Sequence, residues 1–255
     1  MSTKEVLTTV AGGVMTITMN RPDSKNAINR NVAGLIAQAM DDLDADPEIR
    51  AGILTGANNT FCSGMDLKAF LRGESPVVEG RGFAGLCEGP PKKPLIAAVE
   101  GYALAGGFEI AIACDLIVAA ENAILGIPET KLGLVAGAGG LVRLCRQISP
   151  RIAMELALTG DFISAQRAFA IGLINRIVPI GGALEAAQAL ARNIAANGPL
   201  AIIASKRVIG ESQDWLAAEM FEKQSPLIRP IFSSEDAIEG AKAFAEKRTP
   251  NWNCR

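Results

Sequence analysis

The stretch PLIAAVEGYALAGGFEIAIACDLIVAA, residues 94–120, decides the fold class. Pro94 to Val99 is a short apolar run with no polar interruption, the pattern of a strand covered on both faces. The chain then turns through small residues, EGYALAGG, and a helix begins at about Gly106 and runs to Cys114. Leu116 to Ala120 is again a buried strand. Strand, helix and strand in so short a space predict an α/β core.

Upstream, VLTTV-AGG-VMTITMN reads as a hairpin with Gly12 and Gly13 in its turn. Asn29 or Asn31 caps a helix to about Asp44, and Ala51 to Thr55 is a buried strand. Residues 72–91 are rich in Gly and Pro and predict a mobile surface excursion. Downstream, the apolar piece AILGIP leads to KLGLVAGAGG, which opens the helix LVRLCRQIS. Helical periodicity then covers Arg151–Leu158, Ala165–Ile171, Ala183–Ala196, Leu200–Ile209 and two further segments, with one strand at 174–179. The reading is a core of strand–strand–helix units over residues 1–195 and a helical C-terminal region over 196–255.

Composition narrows the chemistry. Apolar residues make up 49% of 255, so the chain buries a substantial core. The net charge of −2, without a Lys/Arg block, gives no footprint for nucleic acid. No apolar run reaches the ~18 residues of a membrane helix, and residues 7–19 lack a signal pattern. The five cysteines are scattered, as expected of reduced thiols, and the expected compartment is the cytoplasm. There is no histidine. Histidine triads and histidine-ligated zinc are therefore excluded, and acid–base chemistry falls to carboxyls, Lys, Tyr or Cys with shifted pKa values.

Three segments combine into one chemical logic. At 100–109, a helix start rich in glycine offers backbone N–H groups to developing negative charge, although a tight packing turn explains the glycines equally well. At 61–67, FCSGMDL offers another N–H after a strand and loop, and an ordinary glycine turn is again the plain alternative. Glu109 lies in GFEIAIACDL, a helix otherwise almost wholly apolar, and a buried carboxyl has its pKa raised toward proton transfer. Glu129, in GIPETKLG beside a glycine-rich turn, is a surface residue by default. Two amides polarising a carbonyl and two carboxyls moving protons suit chemistry at the α and β carbons of a thioester.

These segments resemble the crotonase superfamily, the enoyl-CoA hydratase/isomerase family. The resemblance runs through NRPDSKNAIN (20–29), LTGANNTFCSGMDLKAF (54–70), PLIAAVEGYALAGGFEIAIACD (94–115), GIPETKLGLVAGAGG (126–140), LTGDFISAQRAFAIGLINRIV (158–178) and SSEDAIEGAKAFAEKR (233–248). It implies a spiral of strand–strand–helix units. It also implies an oxyanion hole from the backbone N–H groups of Met65 and Gly106, with Glu109 and Glu129 as catalytic carboxyls that hold the water. Glu129 supplies the proton to Cα, and Gly137 lies beside the water site. Lys25, Asn26, Ala27, Asp66 and Leu67 are expected along CoA, and Phe244 and Lys247 reach CoA from a neighbouring subunit. A homotrimer or dimer of trimers follows, with an acyl-CoA thioester as substrate, no metal, and no cofactor beyond the CoA the substrate carries.

The implied reaction is reversible syn hydration of a trans-2-enoyl-CoA to a 3-hydroxyacyl-CoA. Alternatives are a specialised dehydratase of the carnitinyl-CoA type, to which GFAGL (82–86), GGFEIA and the C-terminal motif are similar, an enoyl-CoA isomerase, and a non-catalytic acyl-CoA-binding protein. Departures from the family pattern are Met65 for a smaller residue, Ala105 for glycine, and Val135-Ala136 where a proline is usual. They bear on the acyl group rather than on the reaction.

Overall fold

The computed structural model describes residues 4–254. Strands β1 (Val6–Ala11) and β2 (Val14–Met19) form the expected hairpin, with Gly12 and Gly13 at positive φ in its two-residue turn. Helix α1 (Arg30–Ala45) is capped by Asn29, whose Oδ1 accepts from Val32 N at 2.8 Å, so Asn29 rather than Asn31 is the cap. Then follow β3 (Ala51–Gly56), α2 (Leu67–Leu71), the short strands β4 (Val77–Val78) and β5 (Gly82–Phe83), β6 (Leu95–Val99), β7 (Tyr102–Leu104) and α3 (Gly106–Ala113). The chain continues through β8 (Leu116–Ala120), β9 (Ile124–Gly126), a 3-10 turn at Pro128–Leu132, α4 (Gly140–Gln147) and α5 (Pro150–Thr159). It ends with β10 (Ile163–Ser164), α6 (Ala165–Ala170), β11 (Arg176–Val178), α7 (Ala183–Ala195), α8 (Pro199–Ser212), α9 (Met220–Phe232) and α10 (Glu235–Glu246).

The main sheet has the order β1-β2-β3-β6-β8-β11, parallel from β2 onward. Its central strands are apolar throughout because both faces are covered. Ile53, Ile96, Ala98 and Val118 face α7, while Leu54, Ala97, Val99 and Ala119 join the large core on the other side. Helix α7 reaches the sheet through Ala183, Ala187 and Ala191, an i, i+4 stripe of fully buried small residues. A leucine at position 187 overpacks that contact and costs about 1–3 kcal/mol.

A second sheet has the order β10-β9-β7, with β7 and β9 parallel. In β6–β7 and β8–β9 the chain places a strand in the first sheet and then one in the second, and β7 leads directly into α3. Ala103 also bridges to Cys62, which extends this sheet toward the loop after β3.

Three expectations are corrected. Residues 100–107 are not only a turn, since Tyr102–Leu104 is a strand, and AILGIP contains another, Ile124–Gly126. Nor are residues 72–91 a mobile surface excursion as a whole, because Gly82 to Cys87 are buried. This segment is pinned by Arg81, which pairs with Asp41 and donates to Gly89 O at 2.7 Å. No helix among the described residues is long and apolar enough to cross a membrane.

Candidate active site

The loop after β3 and the start of α3 meet edge to edge. Leu104 N donates to Cys62 O at 3.0 Å, and Cys62 N donates to Tyr102 O at 2.8 Å. Gly64 takes φ +97, and a Cβ there would lie 3.0 Å from Gly106 N, so only glycine lets the two backbones close up this far. Ile28 N donates to Gly64 O and Asp66 N to Ile28 O, which leaves Met65 N outside that ladder. Among the described residues, neither Met65 N nor Gly106 N donates to a protein acceptor. Gly106 is itself closed in by the Phe83 ring, 2.6 Å from where its Cβ would stand.

Glu109, in the first turn of α3, is only 3% exposed. Its Oε1 accepts from Ala138 N and Gly140 N, each at 2.8 Å. Burial raises its pKa, and the two amides and the charge of Arg143 oppose that rise. Glu129 follows Pro128 at the head of the 3-10 turn. Its Oε2 is buried without a hydrogen-bond partner among the described residues. Burial, reinforced by the negative charge of Glu109, pushes the Glu129 carboxyl up to about 7. The surface position expected by default for Glu129 is therefore wrong for its carboxyl.

Both glutamates line one cavity of about 370 Å³, together with Met65, Gly106 and Gly137. Its remaining wall is mostly apolar, including Leu67, Phe70, Val77, Phe83 and Leu134. A larger cavity of about 720 Å³ between α3, α4 and α8 holds neither glutamate, so size alone points away from the chemistry. A cavity with one carboxyl held by amides, one carboxyl unpartnered and two unengaged backbone N–H groups nearby can polarise a carbonyl and shuttle protons beside it.

The profile of the enoyl-CoA hydratase/isomerase family matches residues 9–255. The chain belongs to that family. Enoyl-CoA hydratase EchA19 of Mycobacterium tuberculosis is 44% identical, over 96% of this chain and 94% of its own. The carnitinyl-CoA dehydratase of Salmonella typhi is 41% identical over 96% of each chain. The crystal structure of enoyl-CoA hydratase EchA1 from Mycobacterium marinum superposes with a TM-score of 0.97 at 58% identity, covering 98% of this chain and 99% of that one. The crotonase-like fold expected from the motifs is thus the fold observed.

Within this family frame, the expected residues divide into groups. Glu109, Glu129, Met65, Gly106, Gly137 and Leu67 come together at the cavity. Lys25, Asn26 and Ala27 lie beside its rim, where Lys25 O accepts from Ser63 N at 3.0 Å and Ser63 lines the wall. Lys25 Nζ sits 5.1 Å from the centre of the Tyr102 ring. The Asn26 side chain is fully used by the protein, accepting from Arg21 N and donating to Ala57 O and Thr60 O, so only its backbone is open to a ligand. Asp66 caps α2 and pairs with Arg21 at 2.9 Å. Phe244 is 87% exposed at the end of α10 and Lys247 is its C-cap, and neither lines this chain's own cavity.

The amide donors Ala138 and Gly140 were missed, as was Phe83. The run GAGG at 137–140 was visible as glycine-rich, but a main-chain donor leaves no side-chain signature. Phe83 lies in a segment whose Gly/Pro-rich composition hides its burial.

Proposed function

We propose that the chain is an enoyl-CoA hydratase, a hydro-lyase that reversibly adds water across the double bond of a trans-2-enoyl-CoA. The thioester oxygen accepts from Met65 N and Gly106 N, each donor contributing about 3–4 kcal/mol of transition-state stabilisation. Glu109 acts ionised, since two amides favour its charged form. Glu129 acts protonated, since its carboxyl is raised to about 7 and unpartnered. With a water held between the carboxyls, Glu109 takes one proton as the oxygen adds to Cβ, and Glu129 gives its proton to Cα. The transient negative charge rests on the thioester oxygen. Proton exchange with solvent resets the pair, and the reverse sequence dehydrates a 3-hydroxyacyl-CoA. No cofactor enters, because CoA is part of the substrate.

What carries this reading is the pair of oppositely disposed carboxyls on a single cavity. Its test is turnover of crotonyl-CoA and longer enoyl-CoAs, followed as loss of the enoyl thioester absorbance. No turnover at any chain length would sink it. A dehydratase acting on a cationic acyl group is the second reading. It is favoured by Glu88, a carboxylate residue that lines the cavity along with Phe70, Val77 and Phe83. Parallel kcat/KM values for an aliphatic and a trimethylammonium-bearing acyl-CoA separate the two.

The proposal extends to a trimer or pair of trimers working in the cytoplasm, with Phe244 and Lys247 approaching CoA on a neighbouring subunit. It is supported by exposed apolar side chains on the last helices, Phe221, Phe232 and Phe244. A monomer in sedimentation at micromolar concentration would count against it.

A further inference from the structure

Arg143 lies in α4, half-buried, one turn past the amides that hold Glu109. Its guanidinium donates to Cys87 O and makes a long contact, 3.5 Å, with Ala138 O. Gly139 takes φ +96, and a Cβ there would lie 2.1 Å from Arg143 Nη1, so the fork fills the space under residue 139. The flanking residues, Ala138 and Gly140, are the two donors to Glu109 Oε1. Cys87 ends the buried segment that brings the Phe83 ring against Gly106. One side chain therefore joins the amide cradle of Glu109 to the segment that walls the cavity.

We infer that Arg143 is a positioning residue for the Glu109 carboxylate, holding the 137–140 turn in place and supplying a positive charge that favours its ionised form. Neither of its hydrogen-bond acceptors carries a charge, and among the described residues no carboxylate is in ion-pair contact with it. The charged and titratable groups around it are few. Glu109 faces it from α3, with Glu129 beyond on the 3-10 turn. Glu88 at the end of the 81–88 segment is exposed. Burial pushes the thiols of Cys62 and Cys87 up to about 12, and that of Cys114 is raised as well, so all three stay neutral. Asp115 is engaged by Lys206 at 2.6 Å, and Arg146 by Asp214 at 2.9 Å. Glu109 is thus the buried anion left to feel the guanidinium, and that influence opposes the rise caused by burial.

This inference rests on the hydratase reading. Its test is the pH profile of kcat for enoyl-CoA hydration by the wild type, Arg143→Gln, Arg143→Lys and the surface control Arg146→Gln, with folding checked by circular dichroism. Arg143→Gln is expected to lower kcat about 10- to 100-fold at pH 7, with KM within about threefold, and to move the acidic limb up by ~0.5–1 pH unit. Arg143→Lys keeps the charge and loses the fork, so its limb stays in place while kcat falls about 3- to 10-fold. A Gln variant with an unmoved limb, or a Lys variant with undiminished kcat, overturns the inference. If the Gln variant does not fold, the Lys variant decides alone by the same criterion. An inactive wild type would overturn the hydratase reading itself, whereas an active wild type with insensitive variants overturns only the role of Arg143.

Discussion

Gly140 N lies 2.8 Å from Glu109 Oε1, and a Cβ on residue 140 would fall 2.8 Å from the same oxygen and 2.9 Å from Glu109 Cγ. The donor and the room for the acceptor are thus two aspects of one glycine. Gly140→Ala is expected to displace the carboxylate while leaving the cavity wall intact. Steady-state kinetics should show kcat reduced at least ~10-fold with KM changed little, since misplacing a reacting group costs kcat first. Unchanged kcat would show that the carboxylate tolerates the crowding.

Replacing either carboxyl by its amide keeps shape and removes the proton. Glu109→Gln and Glu129→Gln are each expected to lower kcat by at least ~10²-fold, the scale of an acid–base group. Calorimetric affinity for an unreactive acyl-CoA should stay within about threefold, because neither side chain is among the residues proposed to hold CoA. If both variants retain near-normal turnover, the assignment of the pair is wrong.

The same two groups set the pH response. The proposed mechanism needs Glu129 protonated, so kcat should fall as pH rises through about 7, and it needs Glu109 ionised, so kcat should fall again in acid. The stability consequence has a definite sign. The folded-state pKa of Glu129 is raised from 4.5 to about 7, so stability is greatest below about 4.5 and is lost as pH rises toward 7. Glu129→Gln should therefore be more stable than the wild type at pH 8, on the order of 1–2 kcal/mol once solvent screening of this partly exposed group is discounted, with the difference vanishing near pH 4. Thermal melts of both proteins at the two pH values check it, and equal melting temperatures at pH 8 would contradict it.

Met65 contributes to the cavity through its side chain and its backbone separately. Met65→Ala is expected to leave crotonyl-CoA turnover within about threefold while raising kcat/KM for bulky acyl chains roughly 10-fold, the scale of a few methylene contacts in an apolar pocket. A substrate series of increasing acyl size measures this, and a uniform fall across the series would mean that the backbone amide had moved instead.

Much of this was readable from the chain itself, for physical reasons. The runs at 95–99 and 116–120 are continuous and apolar because parallel strands are covered twice, and they came out in place. Glu109 stood out because a carboxyl on an almost wholly apolar helix is buried, and a buried carboxyl needs a partner or a raised pKa. By contrast, Tyr102–Leu104 and Ile124–Gly126 have three residues each, too few to show a period, and exist as strands because they pair with one another. The burial of Gly82–Cys87 is set by partners far along the chain, Ala33 and Ala37 of α1 against Gly85 among them, which local composition does not encode. The same holds for Ala138 and Gly140, whose contribution is a backbone hydrogen and carries no residue signature.

The amides of Met65 and Gly106 belong to the main chain, and single substitutions short of proline cannot remove them. Side chains at 65, 83, 88 and 134 can vary around that fixed pair. If the proposed hydratase chemistry holds, descendants of this chain are therefore free to trade one acyl group for another while their grip on the ester-like oxygen is inherited unchanged. Diversification of substrate is cheap here, and loss of the reaction's electrostatic anchor requires rebuilding the backbone.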